Sequence, residues 1–112
     1  MLTIEDLREY GADVENGLAR CAGNEALYLR LTGMVIDELY SSDLAAALGE
    51  GDLDKAFAAA HKLKGGVGNV GLTPVFEPVS ELTELLRKKT PGDYDALCKK
   101  IAEETEKLKA ML

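Results

Sequence analysis

The chain has 112 residues and a formal net charge of −7, from 20 acidic and 13 basic side chains. That length makes one domain, residues 1–112, with a single modest core, and the acidity argues against nucleic acid or an anionic membrane as the main partner, because both need a basic surface. There is no tryptophan and little Phe or Tyr, so the core must be built from Leu, Ala, Val and Ile, and no apolar run approaches the roughly 20 residues that cross a bilayer.

Met1-Leu2-Thr3-Ile4-Glu5-Asp6 lacks a basic stretch followed by an apolar one, so it does not read as a signal peptide. The expected location is therefore cytoplasmic. Thr3 is placed to cap a short first helix, with Glu5 and Asp6 in its first turn and Ile4 and Leu7 on its inner side. Gly11 interrupts that helix. Asp13 caps a second segment carrying Val14, Leu18 and Cys21 at helical spacing, and Gly23-Asn24 ends it and starts the next.

From Glu25 to Tyr40 the pattern is helical, with Tyr28, Leu31, Val35 and Leu39 as the expected inner stripe and Leu27 and Met34 beside it. Gly33 in this stretch suggests a close helix crossing. Ser41-Ser42-Asp43 breaks the pattern, Leu44 to Leu48 forms a short helical turn, and Gly49-Glu50-Gly51-Asp52 is a loop whose aspartate caps the next helix.

The helix after Asp52 has a well-defined apolar stripe of Leu53, Ala56, Ala60, Leu63, Val67 and Val70. His61, the only histidine, points about 130° away from the centre of that stripe and so should face solvent. Lys64, Gly65 and Gly68 lie beyond it along the exposed side, and Phe57 lies about 40° from it, one turn earlier. Glycine inside a helix costs roughly 1 kcal/mol relative to alanine, so Gly65 and Gly68 on an exposed strip point to another molecule approaching closely. An imidazole is largely neutral near pH 7 and can act as a nucleophile, and the neighbouring Lys62 and Lys64 place positive charge where an arriving phosphoryl group needs it.

Gly71 should end this helix, with Thr73 capping the next and Pro74 at its first position. Val75, Val79, Leu82 and Leu86 form the next inner stripe. Pro78 must either kink this helix or delay its start to Glu77. Thr90-Pro91-Gly92-Asp93 is a turn and cap before a last helix carrying Tyr94, Leu97, Cys98, Ile101, Thr105, Leu108 and Leu112, in which Glu103, Glu104 and Glu106 read as a solvated face. Cys21 and Cys98 fall on apolar stripes and are expected as buried free thiols. The architecture implied is all-α: an antiparallel four-helix bundle, up-down-up-down, with short accessory helices near the N-terminus and before Gly49.

Ala60-His61-x-Leu63-Lys64-Gly65, followed by Gly68 and Gly71, resembles the signature of histidine-containing phosphotransfer (HPt) domains. These shuttle phosphoryl groups between receiver-domain aspartates in two-component phosphorelays. The resemblance implies that the ring nitrogen of His61 distal to the backbone accepts the phosphoryl group, with Lys64 interacting with it and Lys62 assisting. Gly65 and Gly68 would let the acidic pocket of a receiver reach the ring, with Asn69 on the docking surface; Phe57, read from its helical angle, either joins that surface or covers the edge of the bundle. In relatives, a polar side chain on the following helix orients the imidazole. Counting places Thr83 there, with Ser80 or Glu84 as substitutes.

The expectation is a stand-alone, monomeric phosphorelay intermediate. It needs no cofactor or metal of its own, since Mg²⁺ belongs to the partner receiver, and there is no ATP-dependent kinase activity, since no Gly-rich phosphate loop follows a strand. The rival reading is a helical docking module that regulates a histidine kinase or receiver without carrying phosphate.

Overall fold

Five of the seven helices begin where a short polar side chain can accept a hydrogen bond from the backbone three residues on. Thr3 accepts from Asp6, Asp13 from Asn16, Asn24 from Leu27, Asp52 from Lys55 and Asp93 from Ala96, which satisfies one orphan N–H at each start. In the computed structural model, which describes residues 1–112, the helices are α1 (Ile4–Tyr10), α2 (Val14–Arg20), α3 (Glu25–Ser41), α4 (Leu44–Gly49), α5 (Leu53–Asn69), α6 (Thr73–Arg87) and α7 (Tyr94–Lys109), with no strand. The long helices α3, α5, α6 and α7 form the antiparallel four-helix bundle expected, with α5 between α3 and α6, and α7 closing the ring against α6 and α3. The short helices α1, α2 and α4 are accessory.

The core takes the Leu, Val, Ile and Ala positions anticipated on α5 and α6: Ala56, Ala60, Leu63, Val67 and Val70 are buried, as are Val75, Val79, Leu82 and Leu86. On α3 the inner face is rotated from the expected stripe. Tyr28, Thr32, Ile36 and Leu39 are buried, whereas Leu31 and Val35 are only half-buried. A threonine tolerates the interior because its hydroxyl donates to the carbonyl of Tyr28 at 2.8 Å. Gly33 faces open space and marks no crossing. The close approach lies at Gly17 of α2, where a Cβ would collide with the Tyr28 ring.

The α6 start also differs from expectation. Leu72, not Thr73, is the capping residue, and Thr73 is already helical, its hydroxyl donating to the Gly71 carbonyl at 3.4 Å. The reason is the preceding turn. Gly71 has φ +71°, and a Cβ there would sit 2.5 Å from the carbonyl oxygen of Asp13, so only glycine fits. The sharp turn carries Leu72 into the core and starts the helix early. Pro78 lies inside α6 and is buried. The helix nevertheless runs from Thr73 without waiting for Glu77, and the Pro74 carbonyl goes without the N–H that residue 78 would otherwise donate.

On α7, Glu104 is buried rather than solvated. It accepts from Lys100 at 2.9 Å and Lys107 at 3.1 Å, beside the buried Tyr10 hydroxyl of α1, which itself has no partner of good geometry. Leu112 is exposed. Cys21 is buried and Cys98 half-buried, and both are free thiols. No helix is long and apolar enough to cross a membrane.

Candidate functional site

The α5–α6 hairpin that carries the site is pinned from outside the pair. The Asp13 amide donates to the Gly71 carbonyl at 2.8 Å, and the Tyr28 hydroxyl donates to the Val70 carbonyl at 2.9 Å. The end of α5 is therefore held by α2 and α3, and its outward face is fixed in rotation. Ala60 and Leu63 point into the core, which leaves His61 between them exposed. The half-buried Phe57 ring lies 5.6 Å from the imidazole, centroid to centroid, at an interplanar angle of 32°.

A shallow concavity of about 460 Å³ opens beside His61. Lys64, Gly65, Gly68 and Asn69 of α5 line it, with Arg20 of α2 and Phe76 of α6 on its other sides. Gly65 faces open space. Gly68 does not, because a Cβ there would come within 3.2 Å of the Phe76 ring. The expectation that both glycines lie on an unpacked strip is thus corrected for Gly68, whose smallness admits Phe76 as well as any visitor. Asn69 accepts a long contact of 3.5 Å from the Arg20 guanidinium. Lys62 points elsewhere, into a groove lined by Glu38, Ser41, Ser42 and Asp43, so of the two lysines only Lys64 shares a concavity with His61.

Across from α5, α6 contributes a second layer. The Arg87 guanidinium lies 5.1 Å from the centroid of the Phe57 ring, within cation–π range, and its Nε donates to Glu84 Oε2 at 3.0 Å. That hydrogen bond, with the positive charges of Arg87, Lys64 and Lys88, holds the Glu84 carboxyl below its usual range against the opposing effect of partial burial. Thr83 is fully buried, and its hydroxyl donates to the Val79 carbonyl at 2.7 Å. The expectation that Thr83 orients the imidazole is corrected. Its helix rotation turns it into the core, where its hydroxyl is back-bonded within α6, whereas His61 is exposed. Ser80 is half-buried, and Glu84 is engaged with Arg87.

The model of one protein family, described as the Hpt domain, matches residues 2–111. The chain belongs to the Hpt domain family. No curated protein and no solved structure matches it. The bundle presents the exposed imidazole of His61 on α5 with a lysine one turn on and small residues beside it.

Arg20, which lines the His61 concavity, and Arg87, which lies against Phe57, are not singled out by sequence reasoning. Arg87 reads there as part of a basic helix end, and Arg20 falls in an accessory segment. Arg87 lies three residues after Glu84, a spacing that pairs opposite charges on a helix surface, and this signal is present in the sequence. Nothing local signals Arg20, which reaches the site only because the α5–α6 turn is docked against α2.

Proposed function

We propose that this Hpt domain accepts a phosphoryl group on His61 from the phosphorylated aspartate of one receiver domain and passes it to the aspartate of another. The observation that carries this reading is the exposed imidazole of His61 sharing one concavity with Lys64 and Gly65, within the Ala60-His61-x-Leu63-Lys64-Gly65 pattern. In the forward step the distal ring nitrogen attacks phosphorus, an N–P bond forms, and the acyl-phosphate P–O bond breaks. The electron pair leaves on the aspartate carboxylate, and the proton on the other ring nitrogen departs to solvent. Lys64 offsets charge on the transferring oxygens, and the Mg²⁺ of the reaction is held by the receiver. Transfer to the second receiver reverses these bonds. The protein is then a phosphorylated intermediate rather than a kinase, and it acts as a monomer.

The test is transfer of labelled phosphate from phosphorylated receiver domains to the wild type and to His61→Gln. The expected result is an acid-labile, alkali-stable phosphate on the wild type alone. Receiver binding by both proteins with transfer to neither would overturn the proposal and leave a docking module.

A further inference from the structure

The α6 side of the site holds a carboxylate whose placement is at first sight unhelpful. A phosphoryl group on His61 brings up to two negative charges, and Glu84 lies in the field of Lys64, the cation that shares the histidine's concavity. The carboxylate is engaged rather than idle. Its Oε2 accepts from Arg87 Nε at 3.0 Å, and both side chains remain about half exposed. The same guanidinium lies over Phe57, whose ring borders the imidazole. A continuous path of contact therefore runs from Glu84 through Arg87 and Phe57 to His61, and a separate electrostatic one runs from Glu84 to Lys64.

Such an arrangement answers a problem set by the site itself. While His61 is unphosphorylated, Lys64 and Arg20 line its concavity and Arg87 stands against Phe57, and Glu84 is the one carboxylate in an ion pair with any of the three. When the ring carries phosphate, the same cations are needed by the new anion. A fixed cation cluster favours the phosphorylated state, whereas a cluster with its own internal anion moves the balance back toward release.

We propose that Glu84 is the resting counter-ion of the phosphoryl-accepting face: it holds Arg87 at the Phe57 ring and offsets Lys64 while His61 is free, and yields these cations to the phosphoryl group once His61 is modified. Glu84 is thus a positioning residue that acts through Arg87 and Lys64. It sets how readily phosphohistidine gives up its phosphate, a property that an intermediate between two receivers must keep moderate. That role rests on His61 being the acceptor.

The experiment phosphorylates the wild type, Glu84→Gln, Arg87→Gln and the double variant with phosphoramidate. In that reaction the donor's P–N bond breaks, ammonia leaves and the N–P bond forms on His61, with no receiver involved. Two quantities are read: the hydrolytic half-life of the phosphohistidine, and the Arg87 Nε–Hε resonance before and after modification. In the wild type the Arg87 resonance is expected to shift on phosphorylation. Glu84→Gln should lengthen the half-life roughly two- to fivefold, the range of a partly exposed ion pair, and the gain should shrink when Arg87 is also replaced. Equal half-lives in Glu84→Gln and wild type, an unmoved Arg87 resonance, or a gain of the same size in the Arg87→Gln background would each overturn the counter-ion role and leave the acceptor role standing. A wild type that takes phosphate from neither phosphoramidate nor any receiver would overturn both, at a step earlier than any comparison of variants.

Discussion

At Gly65 the absence of a side chain is a cost to the helix and an opening to a partner, and the two can be measured apart. A Cβ there meets nothing within the molecule, so Gly65→Ala should raise the unfolding free energy by up to about 1 kcal/mol. The same methyl should slow phosphorylation by a receiver domain severalfold and leave phosphorylation by phosphoramidate within about twofold, since only the receiver must approach across α5. Paired urea melts and transfer rates check both halves. The lysines separate in the same way. Lys64→Gln should slow phosphoramidate labelling by about tenfold, less than the loss of a fully buried oxyanion donor. Lys62→Gln, which faces the groove beside Glu38, should stay near wild type. Of these residues, His61 and Gly65 were legible as outward-facing from helical spacing, because exposure on one helix depends only on rotation about its axis, whereas their assignment to phosphoryl transfer came from the resemblance of the motif. Thr83 was not legible in this way. Its distance along the chain suited an imidazole partner, and only the packing of α6 shows its hydroxyl turned inward.

Between elements, the contacts that matter are those where one helix leaves no room for a side chain on another. Gly17 of α2 meets the Tyr28 ring of α3, and the Tyr28 hydroxyl in turn holds the Val70 carbonyl at the end of α5. Gly17→Ala should therefore destabilise the fold by roughly 1–3 kcal/mol through overpacking, whereas Gly33→Ala, made into open space within α3, should stabilise by up to about 1 kcal/mol. Chemical denaturation of the two variants side by side reads opposite signs from the same substitution. The sequence suggested a crossing at Gly33, from the glycine alone, and missed the one at Gly17, because a glycine in a helix signals either a packing need or none, and only the neighbouring element distinguishes them. The capping residues, by contrast, were legible at Thr3, Asp13, Asn24, Asp52 and Asp93, since a cap is satisfied within four residues of chain.

For the molecule as a whole, acid sensitivity should reside in the charge buried on α7. Burial alone would raise the Glu104 carboxyl, but the hydrogen bonds from Lys100 and Lys107 and the nearby Tyr10 hydroxyl outweigh it, and the group lies below its ordinary value of 4.5. A depressed carboxyl contributes its full stability above the unfolded value and loses it as pH falls through the folded one. Stability should thus decline as pH drops below about 4.5, and Glu104→Gln should flatten that part of the curve. At the alkaline end the sign reverses. Burial first, and the Glu104 carboxylate second, push the Tyr10 hydroxyl well above its ordinary 10.0, so the unfolded chain releases that proton first and stability falls as pH rises past that value. Tyr10→Phe should reduce the alkaline loss. Thermal melts across pH on the three proteins check both limbs.

The order of the helices, five of their seven caps, the inner stripes of α5 and α6 and the outward direction of His61 come from the chain itself, because each depends on spacing over one or two turns. The burial of Glu104, the meeting of Arg87 with Phe57, the arrival of Arg20 at the concavity and the parting of Lys62 from Lys64 belong to the tertiary structure. Each depends on which helices become neighbours and at what rotation, and residues far apart in sequence acquire those relations only when the bundle closes.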